Sequence, residues 1–186
     1  MKLYYTDISQ MDMDLKTARN QLFDRVISDR FGGEKPGIIK NDHGKPFFEK
    51  PWDGYHFNIS HSGDIVVMGI GRVPLGVDVE RIGRVKDFMR LLRFFYDREK
   101  DRVRASADPE DEFYRIWTYR EAFSKLVGEG LALYGRNDIE IDYDRREVSF
   151  TGSDSIFYEY EYPGYRITLC VPAGTDKPRL EQIEIV

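Results

Sequence analysis

Two long stretches of this chain repeat apolar residues at helical spacing, and short runs with strand-like patterning surround both. In the first, Leu15, Ala18, Leu22, Phe23, Val26 and Ile27 predict a helix over about Asp14–Phe31, ended by the Gly-Gly that follows. In the second, Asp108 can cap and Pro109 suits a first turn. That helix runs through YRIWTYREAFSKLVG and stops at Gly128 or Gly130. Strands are predicted at KLYY, on both sides of the HGKP turn in IIKNDHGKPFF, at HFNIS and DIVVMGIGR joined by HSG, and at VPLGVDVE. More follow at DIEIDY, REVSF, SIFYEYEY, YRITLCV and QIEIV. A mixed apolar and basic stretch, Val85–Tyr96, predicts one further helix. The pattern is α+β, in two similar halves, 1–72 and 73–186, joined near residues 72–75, with a last strand free to pack back on the first half.

With 186 residues and 41% hydrophobic content the chain can bury an ample core, which excludes a disordered polypeptide. No apolar run approaches the roughly 20 residues of a membrane span, and MKLYYTDISQ lacks the apolar stretch of a signal peptide. A cytoplasmic protein with no membrane partner is the simplest account. The single cysteine, Cys170, lies in the apolar run YRITLCV and reads as a core residue rather than a nucleophile. A formal net charge of −5 argues against nucleic acid as the main partner. Yet Arg81–Arg104 carries nine basic residues against four acidic ones. Such a segment suits a specific anionic partner, or else a solvated face laced with ion pairs.

Within VPLGVDVE, strand periodicity puts Val77 and Val79 on one face and Asp78 and Glu80 on the other. An edge strand with one solvated face would look the same. Forty residues on, Glu121 and Lys125 are four apart and share a helix face, as an ordinary surface ion pair would. Taken together, three carboxylates without a histidine or thiolate make a hard, oxygen-only donor set of the kind that suits magnesium, with Lys125 beside it as a phosphate-neutralising cation. Lys45 in HGKP and His61 in NISHSG, both expected on loops between strands, can donate to phosphate.

In order and in spacing, HGKP, NISHSG, GVDVE and WTYREAFSKLVGEGL resemble the signature of the Sfp-type 4′-phosphopantetheinyl transferases. The likeness covers about Arg19 to Leu131. It implies two α+β halves related by pseudo-twofold symmetry, with coenzyme A in the cleft between them. It implies transfer of the phosphopantetheine arm of coenzyme A to a serine of an acyl or peptidyl carrier protein, releasing adenosine 3′,5′-bisphosphate. The family's magnesium ligands fall on Asp78, Glu80 and Glu121, and its coenzyme A contacts on Lys45, Ser60, His61 and Lys125, with Arg19 matching an arginine at the nucleotide. Glu121 is the first choice as base for the serine proton, and His61 the second.

Two departures from the family pattern stand out. Arg120 occupies the place of a lysine and could orient phosphate but not readily carry a proton. Only Lys2 and Lys16 precede Arg19, where relatives bring a basic segment to the nucleotide. Carrier proteins of fatty-acid, polyketide and nonribosomal-peptide synthesis all offer the same serine chemistry. Arg81–Arg104, with apolar Phe88, Leu91 and Leu92, is the expected docking surface for such a carrier, and two halves in one chain make a monomer sufficient. The competing readings are a magnesium-dependent phosphodiesterase and a catalytically silent carrier-binding module.

Overall fold

The computed structural model describes residues 1–130 and 139–185. Its first sheet has the strand order β11-β1-β5-β4, formed by β1 (Lys2–Asp7), β4 (His56–Ser62), β5 (Ile65–Gly71) and β11 (Leu180–Gln182). A second sheet has the order β6-β10-β9-β8-β7, formed by β6 (Gly76–Arg81), β7 (Ile139–Asp142), β8 (Glu147–Phe150), β9 (Ser153–Tyr162) and β10 (Tyr165–Pro172). A small hairpin joins β2 (Ile38–Lys40) to β3 (Pro46–Phe48). The architecture is the mixed α+β one that the patterning predicts.

Both long helices form where the periodicity puts them. In α1 (Leu15–Phe31) the Asp14 side chain accepts from Thr17 N, and Gly32 closes the helix at φ 64°. In α3 (Pro109–Val127) Asp108 accepts from Asp111 N, Pro109 occupies the first turn, and Gly128 ends the helix at φ 82°. Helix α1 packs Leu22, Val26 and Ile27 against Val66, Met68 and Ile70 on one face of the first sheet. The opposite face, with Leu3, Ile65 and Val67, meets Val77, Val79, Ile167 and Leu169 of the second sheet. On the far side, Phe157 and Cys170 face α3 through Ile116, Tyr119 and Ala122. Both faces of β5 are covered, so the strand is buried from end to end and its sequence is continuously apolar. Cys170 is core, as expected, and its burial pushes the thiol well above its usual range.

The edge strands β4 and β6 meet through side chains. Val77 N donates to Asn58 Oδ1 at 2.9 Å, Val79 N to Ser60 Oγ at 3.4 Å, and Arg81 N to Ser62 Oγ at 3.1 Å. Every second N–H on the free edge of β6 is thus satisfied by the polar residues of NISHS, which alternate as strand residues do.

Four expectations need correcting. Val85–Tyr96 is not one helix. Phe88–Phe94 forms a 3-10 helix, and a separate α2 (Asp97–Ala105) begins where the Glu99 carboxylate accepts from Tyr96 N. Asp87 gives no side-chain cap to start an α-helix, and the Glu99 carboxylate at Tyr96 N starts a new one past Phe95, while Phe88, Leu91, Leu92 and Phe95 pack on the core beside α3. Of the apolar residues expected on a docking surface, Leu92 is therefore buried and Phe88 and Leu91 pack on the core, leaving Met89 and Phe94 exposed instead. His61 lies within β4 rather than on a loop, because the turn falls one residue pair later, at Gly63 and Asp64. The strand expected at QIEIV is centred earlier, at Leu180–Gln182, where it pairs in parallel with β1.

Removing the Asn58 amide would leave Val77 N buried without an acceptor. Asn58→Ala should cost about 1–3 kcal/mol, read as a lower denaturant midpoint at unchanged slope.

Candidate active site

Between β4, β6 and α3 lies a cavity of about 340 Å³, lined by Asp78 and Glu80 of β6, Trp117, Glu121 and Lys125 of α3, Ser60 and His61 of β4, and Arg19 of α1. Seven of the eight residues singled out from sequence line it, and Lys45 does not. The close approach of α3 to β6 depends on Gly76. A Cβ there would stand 2.0 Å from Ala122 O and 2.4 Å from Leu126 N.

The two strand carboxylates are held in the same way, one repeat apart. Ser60 Oγ donates to Asp78 Oδ1 at 2.9 Å and accepts from Val79 N and from Lys125 Nζ, the latter at 2.8 Å. Ser62 Oγ donates to Glu80 Oε2 at 2.7 Å and accepts from Arg81 N and from Arg84 Nη1, the latter at 3.3 Å. Each hydroxyl uses its one donor and both acceptor sites, and each carboxylate gains a cation. Lys125 Nζ stands 2.6 Å from Asp78 Oδ1 and also donates to Val77 O, so its three donors are engaged. Burial first, and then the charge of Asp78, raises Glu80 above the usual carboxylate range.

Among the described residues no group of three or more His, Cys, Asp or Glu side chains is arranged to hold a metal ion. The donor set nevertheless fits a hard divalent cation. Asp78 Oδ2 is buried with no hydrogen-bond partner, and Glu80 and Glu121 line the same cavity with oxygen donors only. An orphaned carboxylate oxygen is costly in a protein interior unless a positive partner comes to it.

His61 sits at the cavity edge among cations. Burial, then Arg19, Lys125 and Arg84, pushes its imidazolium below the usual range, so a bound anion would be welcome there. A second pocket of about 370 Å³ shares Arg19 and Ile59 with the first. Its apolar part is Phe23, Ile38, Phe57 and Ile59, and Lys40 adds a cation. Sequence reasoning missed Ser62, Arg84, Trp117 and Lys40. Ser62 left a signal in the period-two polar alternation Asn58, Ser60, Ser62, and Trp117 left one by opening the WTYREAFSKLVGEGL motif.

Arg120 turns away from the cavity and forms a buried ion pair with Glu99 of α2 at 2.5 Å. Leu131, which closes the last of the four motifs, lies outside the described residues. Lys45 donates from Nζ to Leu126 O at 2.5 Å, while Asn41 Nδ2 donates to Gly128 O at 3.0 Å, so the β2–β3 turn grips the end of α3. Gly128 makes room for this, since a Cβ there would stand 2.6 Å from Lys45 Cδ.

Residues 74–170 match the 4′-phosphopantetheinyl transferase superfamily. The chain is 32% identical over 138 residues to the 4′-phosphopantetheinyl transferase gsp of Aneurinibacillus migulanus, covering 70% of this chain and 56% of that protein. Against the 4′-phosphopantetheinyl transferase Sfp of Bacillus subtilis strain 168 it is 31% identical over 154 residues, 78% of this chain and 68% of that one. Against the 4′-phosphopantetheinyl transferase HetI of Nostoc sp. PCC 7120 it is 32% identical over 117 residues, 58% and 49% of the two chains. The chain thus spans about half the length of several curated relatives that it matches.

Burial lowers the Lys45 ammonium from 10.5 to about 8. Below pH 8 the folded chain bears the full penalty of a buried charge, and the penalty fades as pH rises toward 10.5, the unfolded value. Relative to Lys45→Met, the wild-type protein should gain thermal stability between these two values, read as the Tm difference across a pH series.

Proposed function

This chain belongs to the 4′-phosphopantetheinyl transferase superfamily, and we propose on that footing that it transfers the phosphopantetheine arm of coenzyme A to a serine of an acyl or peptidyl carrier protein. Adenosine 3′,5′-bisphosphate is the second product. The observation that carries this reading is the cavity itself, where Asp78, Glu80 and Glu121 face Arg19, His61 and Lys125. A carboxylate cluster facing a cationic rim suits a divalent ion and a pyrophosphate together. Family membership disfavours the phosphodiesterase and the silent carrier-binding module.

Asp78, Glu80 and Glu121 would hold magnesium, with the orphaned Asp78 Oδ2 as the first donor. An ion held there would supply positive charge to offset that of the pyrophosphate. The rest falls to the chain. Arg19 and His61 bind phosphate at the cavity edge, and the neighbouring apolar pocket with Phe23 and Phe57 receives the base of the nucleotide. Lys125 supplies fixed positive charge beside the transferring phosphorus. Ser60 serves by loading Asp78, and Lys45 by fixing the end of α3. The carrier serine oxygen attacks the pantetheine-side phosphorus, the bond to the bridging oxygen breaks, and the serine proton passes to Glu121.

Carrier docking belongs to the same reading. Within Arg81–Arg104 the 3-10 helix exposes Met89 (48%) and Phe94 (49%) beside Arg90 and Arg93, an apolar and basic surface that complements an acidic carrier helix. One chain supplies the whole cavity, so a monomer suffices. The lone buried thiol suits the cytoplasm. Among the described residues no helix is long and apolar enough to cross a membrane.

The deciding experiment incubates the protein with coenzyme A, magnesium and a panel of apo-carriers, and reads the mass gain on each carrier. Asp78→Asn keeps the shape and removes the charge, so transfer should fall by at least about a hundredfold in a folded protein. Near-normal turnover would remove Asp78 from the metal site. Reversing charge at Arg90 and Arg93 should raise the carrier KM at low salt, mimicking the screening that added salt produces, with the coenzyme A KM changed less.

A further inference from the structure

We propose that Glu99 is a positioning residue for the transfer reaction, acting through Arg120 on the adjacent Glu121. The inference rests on the transferase reading above. Glu99 stands in a helix otherwise dominated by exposed charges, yet its side chain is fully buried. It accepts from Tyr96 N at 2.9 Å, from Arg120 Nη1 at 2.5 Å and from Tyr143 OH at 2.5 Å. A buried carboxylate with three donors is directional in a way that apolar packing is not.

Direction matters because Arg120 and Glu121 are consecutive on α3, about 100° apart around its axis. The bond that turns Arg120 toward α2 therefore turns Glu121 toward the cavity. On its sheet side α3 is held by the Thr118–Thr168 hydroxyl contact at 2.9 Å and by the close approach at Gly76. Glu99 supplies the second hold, from another side of the helix. It also joins the site to the surface beyond. The Arg120 guanidinium lies 4.8 Å from the Tyr96 ring centre and 5.5 Å from that of Phe95, the residue that ends the 3-10 helix. Phe95 in turn stacks near Trp117, which lines the cavity. A carrier seated on Met89 and Phe94 would thus press on the residues that aim Glu121.

The test compares wild type with Glu99→Gln and with the apolar pair Glu99→Met and Arg120→Met, measuring Tm, kcat and the KM for coenzyme A by carrier mass gain. In Glu99→Gln, kcat should fall by about tenfold or more while the coenzyme A KM stays within about threefold. The double variant removes both buried charges, so it should recover Tm without recovering kcat. That split holds even where Glu99→Gln itself folds poorly. Recovery of kcat together with Tm in the double variant overturns the proposal and leaves Glu99 a stability residue. Unaltered kcat in a folded Glu99→Gln overturns it too. A wild-type protein that modifies no carrier overturns the transferase reading and this role with it, whereas an active wild type beside unaffected variants overturns this role alone.

Discussion

Two serine hydroxyls hold this molecule's working parts together. Ser60 and Ser62 reach from the edge of one sheet to the edge of the other, and each takes up a backbone N–H of β6 while donating to a carboxylate on the same strand. The join between the sheets and the aim of Asp78 and Glu80 are therefore a single set of hydrogen bonds. A loss at either serine would loosen the sheet junction and release a carboxylate at once. The cations follow the same logic, since Lys125 and Arg84 each bond to the serine as well as to its carboxylate. In a cavity partly shielded from water, such shared bonds reinforce one another.

Helix α3 couples that arrangement to the rest of the second sheet. Its sheet side rests on Gly76 and Thr168, its end is gripped from the β2–β3 turn, and Arg120 anchors it to α2. Arg120 stands where the resemblance to the family implied a lysine, and the geometry gives a guanidinium there a physical use. A guanidinium can pair with Glu99 while lying against Tyr96 and Phe95, and a compact ammonium matches such stacking less well.

Much of this was legible in the residues themselves. The long helices announced themselves through periodicity, through the Gly-Gly after Phe31, and through Asp108, Pro109 and Gly128 at the ends of the second, all of which are local signals. Asp78 and Glu80 were readable as a pair because strand geometry allows only two faces. What stayed hidden depends on distant partners. Nothing near Glu99 distinguishes it from its charged neighbours until Arg120 and Tyr143, 21 and 44 residues away, are brought to it. Lys45 looked like a phosphate ligand because its turn is polar, and its bond to Leu126 O arises only from the packing of the hairpin on α3. The single helix expected at Val85–Tyr96 divides because Asp87 supplies no cap and Glu99, held in place by distant Arg120 and Tyr143, starts a helix of its own.

The strand pairing at the edge of the first sheet bears on how the protein is made. Strand β1 leaves the ribosome long before its parallel neighbour, for Tyr5 and Gln182 are 177 residues apart. Until β11 emerges, that side of β1 presents bare N–H and C=O groups, the template to which strands of other chains can add. Synthesis must therefore carry an open edge for most of its course, and a crowded cell has reason to shelter the nascent chain until the sheet is complete.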